Sequence, residues 1–359
     1  MESFVLMESS LDLREQNKYL DKMMQKVSRS FAILTPFLEQ PLNIYMSTAY
    51  LICRVVDNIE DCEQPDVWKS ARYKEFKSLV AEPQSAHELL FMWETLEWPG
   101  ISPDECLLMG SELGEPLWLI YGDFPPDVQG TIYKWVLEMA EGMERISDSE
   151  HTPYFIRTND TLITEGVEDY NRYCYYVAGT VGYMGTELAI YHYSLSHSVS
   201  NRLIENCEAC GRALQKTNIL KDYAKDIHRG MSYLPDEWLQ EADYSPLSLA
   251  GVARTWTRKV IEDILAELRD SVQYVLDLPY EASGYRMASL LCLLPAYQTI
   301  LEAARNRDHL FTERHRVKIS RRTMLGCLRD AKALLVDNQS VVQYGRNMEM
   351  KILTALESA

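Results

Sequence analysis

Between residues 255 and 279 apolar side chains return every three or four positions, with charged residues between them. Trp256, Val260, Ile264, Leu268 and Val275 trace one stripe of a 3.6-residue repeat, and Ile261, Leu265, Val272 and Leu276 widen it. A stripe this long belongs to a core helix and fits no strand. Residues 131–145 repeat the pattern in shorter form. Short alternating runs separated by Asn-Gly or Asp-Gly turns, the signature of a sheet protein, do not occur in series. Helix stops fall at Glu82-Pro83, Trp98-Pro99-Gly100, Phe124-Pro125-Pro126 and Leu278-Pro279. With no low-complexity tract and no long polar linker, the expectation is one all-α domain over residues 1–359, built from ten or more helices.

The charge balance narrows the partners. Fifty-three acidic against 36 basic residues leave a net charge of −17. Such a chain is repelled by nucleic acid and by anionic membrane surfaces. The N-terminus lacks a basic region followed by a long apolar stretch, so no secretory signal is expected and the cytoplasm is the expected compartment. The longest apolar run, Met287 to Tyr297, is about half a membrane span and holds Pro295, so no transmembrane anchor is expected. Eight dispersed cysteines read as reduced, mostly buried thiols; Cys207 and Cys210 form a CxxC without the second pair of ligands a zinc site needs.

Chemistry concentrates in two short segments. Asp57 and Asp61 are four residues apart, so on a helix their carboxylates share a face about 6 Å apart. With Glu60 they make three acids within five residues on an otherwise apolar sequence, which calls for a cation. Mg2+ suits such a turn, because it takes one or two carboxylates and completes its shell with water and phosphate oxygens. A single such turn is more often a solvated helix face. Asp222 and Asp226 repeat the spacing after a second apolar stretch, and two such turns facing one cavity would hold several Mg2+ ions against a diphosphate.

Diphosphate departure leaves an allylic cation, which needs basic groups for the leaving group and an aromatic wall for the carbon centre. Arg29, Arg54, Lys221 and Arg229 lie close in sequence to the acidic turns. Four tyrosines stand within seven residues at Tyr170, Tyr173, Tyr175 and Tyr176. The glycines at 179, 182 and 185 have the wrong spacing and no preceding strand for a dinucleotide fingerprint, and read instead as close helix packing.

In this order the segments resemble the squalene and phytoene synthases of the trans-isoprenyl diphosphate synthase superfamily, over roughly residues 20 to 325. The resemblance implies an isoprenoid synthase fold, a helical bundle around a large central cavity. It implies that Ser28, Arg29, Ser30 and Phe31 bind diphosphate, that Asp57, Glu60, Asp61, Asp222 and Asp226 hold Mg2+, and that Arg54, Gln215, Asn218, Lys221 and Arg229 meet the substrate. Gln215-Lys216-Thr217-Asn218-Ile219, Tyr173 to Gly179 and Val317-Lys318-Ile319 are similar to the squalene-forming branch. That branch joins two farnesyl diphosphates head to head through presqualene diphosphate and reduces the product with NADPH to squalene. Tyr173 then matches the acid/base, with Tyr50 and Arg54 beside it, while Tyr50, Asn218, Lys318 and Arg321 match the NADPH contacts. A monomer is expected, and apolar substrate and product are compatible with peripheral membrane contact.

Three positions depart from the family pattern. Lys225 stands where relatives carry Glu, Met231 where they carry Arg, and Ser320 where a second basic residue is usual. The alternative outcome is an NADPH-independent head-to-head enzyme that stops at presqualene diphosphate, dehydrosqualene or phytoene. A helical scaffold that has lost its chemistry is disfavoured by the intact aspartate pairs and Tyr173.

Overall fold

A computed structural model describes residues 11–28, 31–147, 154–158, 161–241, 254–307, 310 and 317–357. The chain clusters into two compact units, residues 1–144 and 145–359.

The first unit is entirely helical among its described residues: α1 (Leu13–Val27), α2 (Phe31–Leu34), α3 (Leu42–Asp61), α4 (Asp66–Ala81), α5 (Ala86–Trp93), α6 (Pro103–Cys106), α7 (Ser111–Gly122) and α8 (Pro126–Ser147), whose last turn passes the unit boundary. Asp12 caps α1 by accepting from the N–H groups of Arg14 and Glu15, and Glu15 answers with the Asp12 N–H. At the centre lies α3. Leu51, Ile52, Val55, Val56 and Ile59 are all sealed from solvent, so apolar residues surround most of the helix rather than forming a stripe. This makes α3 a stiff buried rod whose last turn carries Asp57 and Asp61. Trp93 is fully buried and donates its indole N–H to Glu75 at 2.6 Å, satisfying the one polar atom it takes inside.

The second unit holds a small sheet and the longest helices: β1 (Phe155–Thr158), β2 (Thr161–Thr164), α9 (Val167–Cys174), a π-helical turn (Tyr175–Gly179), α10 (Thr180–Tyr193), α11 (His197–His228), β3 (Met231–Ser232), α12 (Asp236–Gln240), α13 (Arg254–Asp277), α14 (Ser283–Arg305), α15 (Arg321–Leu334) and α16 (Asn338–Glu357). The periodic stripe of residues 255–279 is α13, and the stretch 131–145 lies within α8. The sheet was not expected. Its strands are two to four residues long, too short for alternation to show in sequence. β1 and β2 pair antiparallel, and β3 adds parallel to β2 through Leu162 opposite Met231. Gly230 makes that last pairing reachable: at φ +77° it ends α11 in the left-handed region and turns the chain straight into β3.

α11 is the spine of this unit. Where it meets the π turn and α10, backbones touch. A β-carbon on Gly211 would lie 2.0 Å from the Ala178 carbonyl oxygen, and one on Gly182 would lie 2.3 Å from that of Cys207. The glycine spacing is therefore a packing device, as its sequence indicates. On another side α11 meets α13 through charge. Lys216, 1% exposed, places its ammonium 2.8 Å from Asp263 and 2.9 Å from Glu267. Arg212 joins Glu267 to Glu208, and the Lys216 ammonium also sits 5.1 Å from the centre of the Tyr170 ring. All eight cysteines are free, Cys207 and Cys210 included. α14 passes by length and composition as a membrane span, yet 61% of its apolar window is buried inside the fold.

Two stability outcomes follow. Gly211→Ala is expected to destabilise the protein by more than about 2 kcal/mol, since the clash is with backbone that cannot rotate away. Lys216→Met keeps the volume but leaves Asp263 and Glu267 without their cation, and is expected to cost about 3–5 kcal/mol. Thermal and denaturant unfolding of both variants measures these losses.

Candidate functional site

In the first unit the anticipated residues gather along one side of α3. Tyr50, Arg54, Asp57 and Asp61 recur at intervals of four, three and four, which keeps them on a single helix face. The ring of Phe31 lies 4.7 Å from that of Tyr50, and the Ser28 hydroxyl accepts the Phe31 backbone N–H at 3.1 Å. Ser28 and Phe31 are thus folded onto the Tyr50 end of the face. Arg29 and Ser30 lie outside the described residues.

Arg54 is the hub of this face. One guanidinium nitrogen donates to Asp57 at 2.7 Å, and the other donates to Glu105 of α6. Glu105 is held in turn by Ser102, whose hydroxyl donates to its second oxygen at 2.6 Å. Glu105 could not be anticipated from the sequence, because Asp104-Glu105 in α6 lacks the four-residue spacing of the other acidic turns and lies 51 residues from Arg54. Asp57 is the strained member: burial pushes its carboxyl up to about 6, Asp61 adds to the shift, and Arg54 opposes it. Glu105 moves the other way, because Ser102 and Arg54 outweigh its own burial. Burial likewise raises the Tyr50 hydroxyl above its usual range. Asp61 is exposed and Glu60 half-buried at the open end of the helix, where Lys69 reaches the Glu60 backbone carbonyl at 2.5 Å.

In the second unit Gln215, Asn218, Asp222, Asp226 and Arg229 recur at intervals of three or four along the last turns of α11, again on one face. Lys221 donates to Asn218 at 2.9 Å and stands 3.3 Å from Asp222. Arg229 caps the helix before the Gly230 turn. Tyr173 is buried and stacks on Tyr233, with ring centres 4.2 Å apart and planes 18° off parallel; Phe155 closes the group edge-on at 6.4 Å from Tyr173. Tyr233 comes from the segment after β3, so the unexpected sheet is what carries Phe155 and Tyr233 to Tyr173. Neither aromatic partner is legible from sequence distance alone.

Lys318 and Arg321 stand exposed at the head of α15, one on each side of Ser320, which caps that helix by accepting the Thr323 N–H. No bond joins either of them to Asn218 among the described residues. Two clefts of the first unit lie elsewhere, one lined by Lys74, Lys77 and Glu144, the other by Trp93, Trp98 and Cys106, and neither includes an aspartate of the acidic turns.

The donor set decides which metal these turns suit. Among the described residues no group of three His, Cys, Asp or Glu side chains converges, so an all-protein cage of the zinc or calcium kind is not offered. Each turn presents a pair of carboxylates one helical turn apart, which fits a hydrated Mg2+ that shares its shell with a phosphate.

The raised carboxyl of Asp57 has a measurable sign. An unfolded carboxyl titrates near about 4, so the fold favours the protonated form. That stability is full below about pH 4 and is lost as pH rises through about 6. Asp57→Asn keeps the side chain neutral throughout. The variant is expected to exceed wild-type stability by about 1–3 kcal/mol above pH ~6, with the gap closing below pH ~4, in denaturant curves across that range.

Comparison with known proteins places these features in a family. A family model described as squalene/phytoene synthase matches residues 24–323. A squalene synthase of Candida albicans is 30% identical over 219 residues, covering 60% of this chain and 44% of its own length. A squalene synthase of Saccharomyces cerevisiae is 28% identical over 340 residues, covering 88% of this chain and 70% of its own length. The chain thus spans less than half of the Candida relative. Among solved structures, TcSQS in complex with BPH1237 superposes with a TM-score of 0.75 at 21% identity, covering 95% of this chain and 92% of that one. A dehydrosqualene synthase superposes with a TM-score of 0.61 at 18% identity, over 90% and 97% of the two chains. These likenesses establish the all-α isoprenoid synthase fold, and with the family match over most of its length, the chain belongs to the squalene/phytoene synthase family.

Proposed function

We propose that this protein is a squalene synthase, which couples two farnesyl diphosphates head to head and reduces the product to squalene. The observation that carries the reading is the pair of aspartate turns, each a two-carboxylate face at the end of a long helix, in a chain that also stacks the buried Tyr173 on a half-buried Tyr233. When bound, Mg2+ neutralises the substrate diphosphates and NADPH supplies a hydride. Asp57 and Asp61 would hold Mg2+ at one turn, with Glu60 beside them adding negative charge, and Asp222 and Asp226 would hold it at the other.

The C1–O bond of one farnesyl diphosphate breaks, and pyrophosphate leaves with the electron pair. The groups suited to take diphosphate charge are Arg54 and the Ser28–Phe31 segment in the first unit, and Lys221 and Arg229 in the second. The C2=C3 π pair of the second substrate attacks the allylic cation, and loss of a proton closes the cyclopropane. Tyr173 serves as the acid/base, its hydroxyl proton passing to the departed pyrophosphate as its oxygen takes the proton from carbon, while the outer faces of the stacked Tyr173–Tyr233 pair stabilise positive charge on carbon. Gln215 and Asn218 orient the substrate on α11. The candidate NADPH contacts are Tyr50 in the first unit and Asn218, Lys318 and Arg321 in the second; the last two are exposed cations at a helix start, a setting suited to a phosphate. The same reading places the protein in the cytoplasm as a monomer, brought to membrane surfaces by its apolar substrate and product.

Incubation with farnesyl diphosphate and Mg2+, with and without NADPH, tests the assignment. Squalene is expected only when NADPH is present. A product that NADPH leaves unchanged would replace this reading by an NADPH-independent prenyl synthase. Asp57→Asn and Asp222→Asn are each expected to slow pyrophosphate release by about a hundredfold or more. Release at the wild-type rate in both variants would remove enzymatic function from these turns.

A further inference from the structure

Arg54 is shared between two carboxylates that differ in freedom. Asp57 meets it at 2.7 Å and is otherwise strained by burial. Glu105, on the neighbouring helix α6, meets the other guanidinium nitrogen while being fixed on three sides. Its second oxygen receives the Ser102 hydroxyl at 2.6 Å and the Ser102 backbone N–H at 3.3 Å. Its backbone carbonyl receives the side-chain amide of Asn58, itself 1% exposed, at 3.2 Å. All three charged side chains of the set are mostly covered, at 19–25% exposure.

A divalent cation at the Asp57 turn and the Arg54 guanidinium are like charges that compete for one carboxylate, whose Oδ2 Arg54 already holds. A cation that draws both oxygens of Asp57 displaces Arg54 from Oδ2. What then matters is where the guanidinium goes. Glu105 is an anion whose position does not depend on Arg54, so it retains the guanidinium beside the turn when Asp57 lets go. The edge of the fork that Asp57 vacates is then free for a diphosphate oxygen, which suits the bidentate habit of arginine. Without a charge at 105, the remaining carboxylate partner of Arg54 is Asp57, and the cation position closes.

We propose that Glu105 is a positioning residue that keeps Asp57 open to Mg2+ and keeps Arg54 aimed at the diphosphate. The inference rests on the reading of the Asp57 turn as a Mg2+–diphosphate site. Glu105→Gln isolates the charge, because glutamine serves the capping box with Ser102 as well as glutamate does and has nearly the same size.

The experiment is calorimetric titration of inorganic pyrophosphate into wild type, Glu105→Gln, Asp57→Asn and the double variant over a series of Mg2+ concentrations, with melting temperatures alongside. Glu105→Gln is expected to melt with the wild type and to need about tenfold more Mg2+ for half-maximal pyrophosphate binding. In the Asp57→Asn background the same change is expected to shift the Mg2+ requirement by less than about twofold, since the carboxylate to which Arg54 donates is no longer there. An unchanged Mg2+ requirement in Glu105→Gln, whether or not the melting temperature falls, makes Glu105 a fold anchor of α6 and overturns the inference while leaving the proposed function standing. A wild type that binds pyrophosphate without regard to Mg2+ overturns the underlying reading, and the inference with it.

Discussion

A single ammonium group organises the second unit. Lys216 is buried between α11 and α13, and a buried cation is tolerated only when its anions are placed to within hydrogen-bond reach. Asp263 and Glu267, one turn apart on α13, meet that demand, and Arg212 and Glu208 extend the chain of charges along α11. Hydrophobic contact alone would let two long helices slide or rotate with little penalty. The charged seam removes that freedom. With the seam and the glycine contacts setting the rotation of α11, its face of Gln215, Asn218, Asp222 and Asp226 is set as well, so a structural interaction decides which way the chemistry points.

The first unit solves the same problem by other means. α3 has no ionic seam; it is fixed because apolar neighbours surround nearly all of it. Its charged groups collect only toward the C-terminal end, and there the fold accepts a cost. A carboxyl lifted to about 6 is a group the unliganded protein would hold more comfortably as an uncharged amide. Under the proposed function, a cation bound at this turn would offset that cost.

Much of this was legible in the chain before any coordinates. The stripe of α13 has a period that only a helix satisfies, and the four-residue aspartate spacing and the glycine repeat, compatible with one, also fall on helical segments in the structure. Arg54 and Asp57 could be paired from sequence because they are local. Glu105, Tyr233 and Phe155 could not, because their roles depend on turns that bring distant segments together, and four-residue strands leave no periodic trace. Lys216 is intermediate. It stands on the same helical face as Ala213 and Leu220, both buried, so a lysine there already implied a hidden anion, though not which one.

The apolar helix α14 bears on how the chain is made. Residues 283–305 emerge from synthesis with the look of a membrane-crossing segment. α11 and α13, against which α14 packs, lie earlier in the sequence and are therefore already outside the ribosome when it appears, whereas α15 and α16 follow. Folding in the order of translation covers part of this segment at once and leaves the rest exposed only until the fifty or so residues that carry α15 and α16 have been added, about 3–10 s. The order of helices along the chain thus limits how long this apolar surface is in contact with water.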